Sequence, residues 1–371
     1  MNFDYSDDQK YLKQEARKFL RAKCPVAVTR RVLDDAATSF DRTLWQAVAA
    51  LGWTGTAIPE EWGGSGLGHI ELCAIAEELG RVLAPIPFAS TVYIFAEAIL
   101  AFGSDAQRAA LLPGVANGTV IGCLATSESK GPVQIDSIGT RVVAGRLSGI
   151  KIPVTDGDIA THAIVLASEG AGSGLFIADM SGEEVTRETI PTLDPTRSAA
   201  RVAFDLAPCE RLGDPGDGAA MLSVILDRAA VLLSFEQVGG ADRCLEVARD
   251  YALERYAFGR SIGSYQAIKH KLADIYIKNE VARSNAYYGA WALSSDAAEL
   301  PQAASAARIA GTRAYDFAAR ESLHTHGGIG FTWEVVCHLH LRRARQLGLA
   351  IGGLPVWRER LVRSIERSNA L

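Results

Sequence analysis

The feature that most restricts this chain is a change of apolar periodicity that happens twice. Between Thr119 and Leu212 the apolar residues come in short β-branched runs: "TVIGCLA", "TRVVAGRLSG", "HAIVLA", "GLFIADM" and "ARVAFDLA". Each run is broken by Gly, Asp or Pro, the mark of strands between turns. On both sides the apolar residues recur at helical spacing instead. The pattern predicts a helical domain over 1–118, a middle β domain over 119–212 and a C-terminal helical bundle over 213–371. At 371 residues the chain is too long for one ordinary core.

Local signals place the elements. Ser6 with Gln9 and Ser104 with Gln107 read as capping boxes opening helices. "IPEEWGGSGL", residues 58–67, and "GDPGDG", residues 213–218, read as turns. Long helices are expected over about 219–254, 264–294 and 301–325, with a last one after the glycines near 327. Their Ala-rich faces suit a four-helix bundle.

Composition narrows the function classes. Apolar residues make up 48%, charged residues 22%, and the formal charge is −5, which is globular and without a basic tract for nucleic acid. No stretch reaches the roughly 20 uninterrupted apolar residues of a membrane span. No leader segment is recognisable at the N-terminus. The six cysteines are scattered without CxxC, so neither a disulfide framework nor a zinc site is expected, and a reducing cytoplasm is the expected compartment. His324 and His326 are two apart, as are His338 and His340, so neither pair shares a helical face, and no metal is expected.

Two stretches carry chemistry. In "YALERYAFGRSIGSYQAIKHKLAD", Tyr251 to Asp274, a helix is expected to stop at Phe258-Gly259 and restart near Ser264. Arg255 and Arg260 flank that turn, and guanidinium forks bind diphosphates bidentately. Phe258 offers a flat face, and Gln266 a donor and an acceptor. The alternative is a helix hairpin with solvated arginines. In "ESLHTHGGIGFTWE", Gly327 and Gly328 leave bare backbone, either for a tight helix turn or for a ligand to approach. Acid–base candidates are Asp227 and Glu236, the latter among Leu232, Leu233, Phe235 and Val238. Their alternatives are a structural ion pair for Glu236 and a solvated pair with Arg228 for Asp227.

These residues resemble the acyl-CoA dehydrogenase family over nearly the whole chain. "IPEEWGGSGL", the Arg255-x-x-Phe258-Gly259 to Asp274 run and "HTHGGIGFTWE" match three family motifs in order. The resemblance implies an acyl-CoA dehydrogenase-like fold, with N-terminal helices, a middle β domain and a C-terminal four-helix bundle, assembled as homo- or hetero-oligomers. It implies FAD in a cleft shared between subunits. Arg255, Phe258, Gln266, His324, Gly327 and Gly328 would face the adenosine-diphosphate part. Ser127 in "CLATSES" and Thr155 in "KIPVTD" would face the flavin ring. The substrate would be an acyl-CoA thioester desaturated between its α and β carbons, and the electron acceptor an electron-transfer flavoprotein.

The departures from the family are equally specific. His324 stands where the family usually has Gln, and Pro153 where it has Trp. Where the family's proton-abstracting glutamate falls, counting on from Gly328, this chain has Ile351 followed by Gly352. Asp227 and Glu236 lie near an alternative base position without aligning to it. The chain therefore resembles one subunit of the heteromeric steroid-CoA dehydrogenases, in which a related chain supplies the base. A non-catalytic subunit completing a partner's FAD site, and a flavin-dependent oxidase or monooxygenase of the same fold, are the other readings.

Overall fold

The computed structural model describes residues 5–369 except 36, 130, 132, 134 and 171. N-terminal helices come first: α1 (Asp7–Lys23), α2 (Val26–Asp34), α3 (Arg42–Ala50), α4 (His69–Arg81), a π-helical turn (Ala89–Ala96) running into α5 (Glu97–Phe102), and α6 (Asp105–Ala116). Both capping boxes are made, with the Ser6 and Ser104 hydroxyls accepting from the amides of Gln9 and Gln107. Strands follow: β1 (Gly122–Ala125), β2 (Arg141–Val143), β3 (Arg146–Thr155), β4 (His162–Glu169), β5 (Gly172–Asp179), β6 (Val185–Thr189) and β7 (Ala199–Leu212). The C-terminal helices are α7 (Gly218–Glu254), α8 (Gln266–Ser294), α9 (Leu300–His326), α10 (Cys337–Leu349) and α11 (Leu354–Asn369). Between α7 and α8 lies a small hairpin, β8 (Tyr256–Ala257) and β9 (Arg260–Ser261).

The chain divides into two compact units that are interleaved in sequence. One comprises 30–68 and 85–229. Its main sheet closes on itself, β4 pairing with β5, β5 with β7, β7 with β3, β3 with β2, and β2 with β4. Period-2 alternation explains the unbroken apolar run in β4. Ala163, Val165 and Ala167 join the core inside the sheet with Phe176 and Val202. Ile164 and Leu166 join the opposite core with Phe95, Leu112 and Ile225. Both faces are buried, so no polar alternation survives.

The other unit comprises 1–29, 69–84 and 230–371, so α1 and α4 pack with the C-terminal helices. Here α4 and α7 touch backbone to backbone. A Cβ on Gly80 would lie 2.0 Å from the Glu236 carbonyl oxygen, and one on Gly239 would lie 1.8 Å from that of Glu77. Charges lock the crossing. Buried Glu77 accepts from Lys13 at 2.5 Å and from Arg283 at 2.6 Å, and buried Glu78 takes a two-pronged contact from Arg17. The helix α7 is long and apolar enough to cross a membrane, but 67% of its most apolar window is buried inside the protein.

Candidate functional site

The Arg255 turn is built differently from the sequence expectation. Helix α7 ends at Glu254, not at Phe258-Gly259, because Phe258 (φ 53°) and Gly259 (φ 81°) both adopt positive φ. Two such residues in succession make a hairpin turn whose twist matches the paired strands β8 and β9. Glycine tolerates that conformation; phenylalanine does so at a cost in strain. The Phe258 ring is 98% exposed. The hairpin is fastened by Ile262 N–H to the Arg255 carbonyl at 2.7 Å and by the Tyr265 hydroxyl to the Ala257 carbonyl at 2.9 Å. The Arg260 guanidinium lies over the Tyr265 ring at 4.0 Å, whereas the Arg255 guanidinium has no polar partner among the described residues. Gln266 opens α8 and is exposed.

The glycine turn follows the end of α9. Each glycine has a different reason to be there. At Gly330 a Cβ would lie 2.6 Å from the Leu323 carbonyl oxygen, so it serves the turn itself. Gly327 has φ 65° and ψ −140°, a region open mainly to glycine. Gly328 has no positive φ, and a Cβ there would meet nothing within 4 Å. Its missing side chain serves nothing in this chain and leaves backbone open to an external group. His324 is half-exposed, 3.6 Å from Glu321.

The two turns, distant in sequence, share one end of their unit. Tyr251, one turn before Arg255, stacks on buried His326, the residue before Gly327, with ring centroids 4.2 Å apart. Lys271, near the start of α8, pairs with Glu321 of α9 at 2.8 Å. The surface thus gathers Arg255, Phe258, Gln266, His324, Gly327 and Gly328. An unpaired guanidinium, a bare ring and open backbone form a donor set that fits a dinucleotide diphosphate.

Ser127 and Thr155 lie in the other unit. Ser127 follows β1, and its carbonyl accepts from the Ile152 amide at 2.8 Å, tying the turn to β3. Thr155 ends β3 opposite Ala199. Both side chains are half-buried. Pro153 sits at a register shift between β3 and β7 and is preceded by a cis peptide bond. An ion pair missed in the sequence holds this turn. Fully buried Lys151 reaches Glu128 at 2.7 Å and the Thr126 carbonyl at 3.2 Å. Glu128 also accepts from the Gly139 and Thr140 amides. Burial pushes its carboxyl upward, but these donors outweigh it and hold the group at about 2. A lysine inside a β-branched strand was the available signal, since a buried ammonium requires a carboxylate.

The carboxylate candidates are both buried. Glu236 is 1% exposed and 3.4 Å from Arg343, itself 1% exposed, an arrangement that matches the structural ion-pair alternative. Asp227 is 3% exposed rather than part of a solvated pair, and Arg228 reaches Glu97 at 2.7 Å. Ile351 is 8% exposed, and its carbonyl accepts from the Trp357 indole at 3.2 Å. Among the described residues no three His, Cys, Asp or Glu side chains group for a metal.

Helices before and after a closed β unit, with paired turns able to face a dinucleotide, define a flavoprotein-type architecture, and comparison with known proteins specifies it. Residues 6–119 match the N-terminal domain of acyl-CoA dehydrogenase, and residues 216–365 match its C-terminal domain. The chain is 32% identical to acyl-CoA dehydrogenase IpdE2 of Mycobacterium tuberculosis, over 86% of this chain and 85% of that protein. Among solved structures it resembles a Tcur3481-Tcur3483 steroid ACAD variant, with 31% identity, a TM-score of 0.89, and 98% and 99% of the two chains covered. It also resembles the ChsE4-ChsE5 complex from Mycobacterium tuberculosis, with 25% identity, a TM-score of 0.90 and 99% of each chain covered. The chain belongs to the acyl-CoA dehydrogenase family, whose fold is that of an FAD-dependent oxidoreductase.

Proposed function

We propose that this chain is a subunit of an FAD-dependent acyl-CoA dehydrogenase that desaturates a bulky, steroid-like acyl-CoA thioester, with a related chain supplying the catalytic base. The observation that carries this reading is the pairing of an open dinucleotide surface with a missing base. Buried Ile351 stands where the family places its carboxylate, while Glu236 is held by Arg343. Bound FAD would accept the hydride from the substrate's β carbon. This chain's own residues hold and orient. Arg255 neutralises diphosphate charge, and Phe258 and Gln266 bracket the adenosine. The open backbone at Gly327 and Gly328 admits close approach. Thr155, with Ser127 across the neighbouring turn, presents a hydroxyl to the flavin ring. The 98% exposure of Phe258 supports a surface completed by another subunit. Without a base, the loss of general-base assistance is roughly 10²- to 10⁴-fold. Reduced flavin would pass electrons to an electron-transfer flavoprotein or a similar acceptor.

Expression alone and together with a related chain tests the proposal. The complex is expected to be yellow and to reduce an artificial acceptor with an acyl-CoA substrate, while the lone chain gives no turnover. Turnover by the lone chain, abolished by Glu236→Gln or Asp227→Asn, would place the base here and overturn the shared-base reading. A colourless, inactive complex would overturn the flavoprotein reading itself.

A further inference from the structure

A second concave surface in the helical unit uses none of the residues proposed to hold FAD. The cavity, about 540 Å³, lies between α8, α9 and the loop joining α10 to α11. That is large enough for a nucleotide-sized molecule. Its charged lining is Lys278, Arg313, Arg320 and Arg345 against a single carboxylate, Asp316, so four positive charges face one negative.

The geometry keeps those charges available. Arg320 and Arg345 each lean on Asp316 through Nε, at 3.2 and 3.1 Å, which leaves their terminal nitrogens directed elsewhere. Arg313 is exposed and has no polar partner among the described residues. The Lys278 ammonium lies over the Phe317 ring at 5.0 Å. Leu349, Leu354 and Pro355 add an apolar wall. Cations gathered in one concavity repel one another and focus a positive potential. Guanidinium forks match phosphate oxygens in pairs, and the Phe317 ring offers a flat floor.

We infer that this cavity binds a phosphorylated small molecule, with the guanidinium groups of Arg313, Arg320 and Arg345 on the phosphate. Titration calorimetry of the purified full-length protein with inorganic pyrophosphate tests the site. Saturable binding is expected, weakened about tenfold or more in Arg313→Ala and in Arg345→Ala, and unchanged in Arg255→Ala. Lys278→Gln provides a milder variant, and an unchanged melting temperature confirms folding for each. The inference is overturned if pyrophosphate does not bind saturably, or if Arg313→Ala and Arg345→Ala bind as the parent does. It is also overturned if binding is lost only in Arg255→Ala, which would assign the anion to the FAD-facing turn. Altered subunit number in Arg313→Ala with pyrophosphate binding intact would identify the surface as an interface, against the inference.

Discussion

The ring of Tyr251 stacks on that of His326 at a centroid distance of 4.2 Å and an interplanar angle of 23°, joining the end of α7 to the end of α9. Neither residue is proposed to touch FAD, yet each lies one turn or less from one that is. Tyr251→Ala removes a ring contact worth about 1 kcal/mol and frees the two turns to move separately. The assembled protein should lose much of its flavin, read as absorbance per chain, while Tyr251→Phe retains it. Full flavin in Tyr251→Ala would mean that the turns do not act as one surface.

Glycines at two positions should respond oppositely to a methyl group. Gly239→Ala drives a Cβ to 1.8 Å from the Glu77 carbonyl oxygen, which must force α4 and α7 apart. The cost is at the upper end of the 1–3 kcal/mol typical of overpacking and exceeds the helix-propensity gain of about 1 kcal/mol. Gly328→Ala meets nothing within this chain. Its melting temperature should match the parent's while its flavin content falls. Thermal melts beside flavin absorbance separate the two effects, and flavin retained by Gly328→Ala would remove that position from the binding surface.

The Glu128–Lys151 pair is asymmetric. Lys151 is fully buried, whereas Glu128 keeps 26% exposure and two backbone donors. Glu128→Ala strands a buried ammonium and should destabilise by about 3–5 kcal/mol. Lys151→Met removes the buried charge, leaves Glu128 solvated and amide-bonded, and should cost clearly less. Urea unfolding of both variants checks the order, and equal costs would contradict it.

Asp156 makes the β-containing unit sensitive to pH. Its carboxyl is 2% exposed, and burial raises it to about 6 against the opposing pull of Arg197 and of the Ser90 hydroxyl at 2.5 Å. A raised pKa means that the protonated form is favoured on folding. The contribution is therefore complete below about pH 4, the unfolded value, and is lost as pH rises through about 6. Two units correspond to about 3 kcal/mol. Asp156→Asn resembles the protonated form, so its stability relative to the parent should grow between about pH 4 and pH 7. Parallel unfolding profiles for the two proteins would show that Asp156 does not titrate in that window.

What the sequence disclosed depended on how local the cause was. The β4 and β5 runs were legible because burial on both faces leaves only apolar, β-branched residues. Strand β6 was not, because nearly all of Val185–Thr189 faces solvent and carries polar side chains. The end of α7 was misplaced because the helical pattern runs on through Tyr256, and nothing in the letters reveals that Phe258 accepts positive φ. The single last helix proved to be two, α10 and α11, separated at Gly352-Gly353. The grouping of α1 and α4 with the C-terminal helices rests on tertiary pairs such as Lys13–Glu77 and Gly80–Glu236, which no window of sequence contains. In the candidate site, the residue types were readable from Arg255 to Gly328. The Tyr251–His326 stack that gathers them was not, because each ring looks like an ordinary helical residue.

Phe258, raised on a strained hairpin and almost wholly bare, has a consequence for the life of the protein in the cell. An aromatic side chain of this kind withdraws roughly 150–250 Å² of apolar surface from water when covered, a gain of several kcal/mol at about 25 cal/mol/Å². A newly made chain carries that unspent affinity until a neighbour arrives. Synthesis of the covering subunit in matching amounts, and at the same time, then decides whether the ring finds its proper seat or the nearest greasy surface of something else.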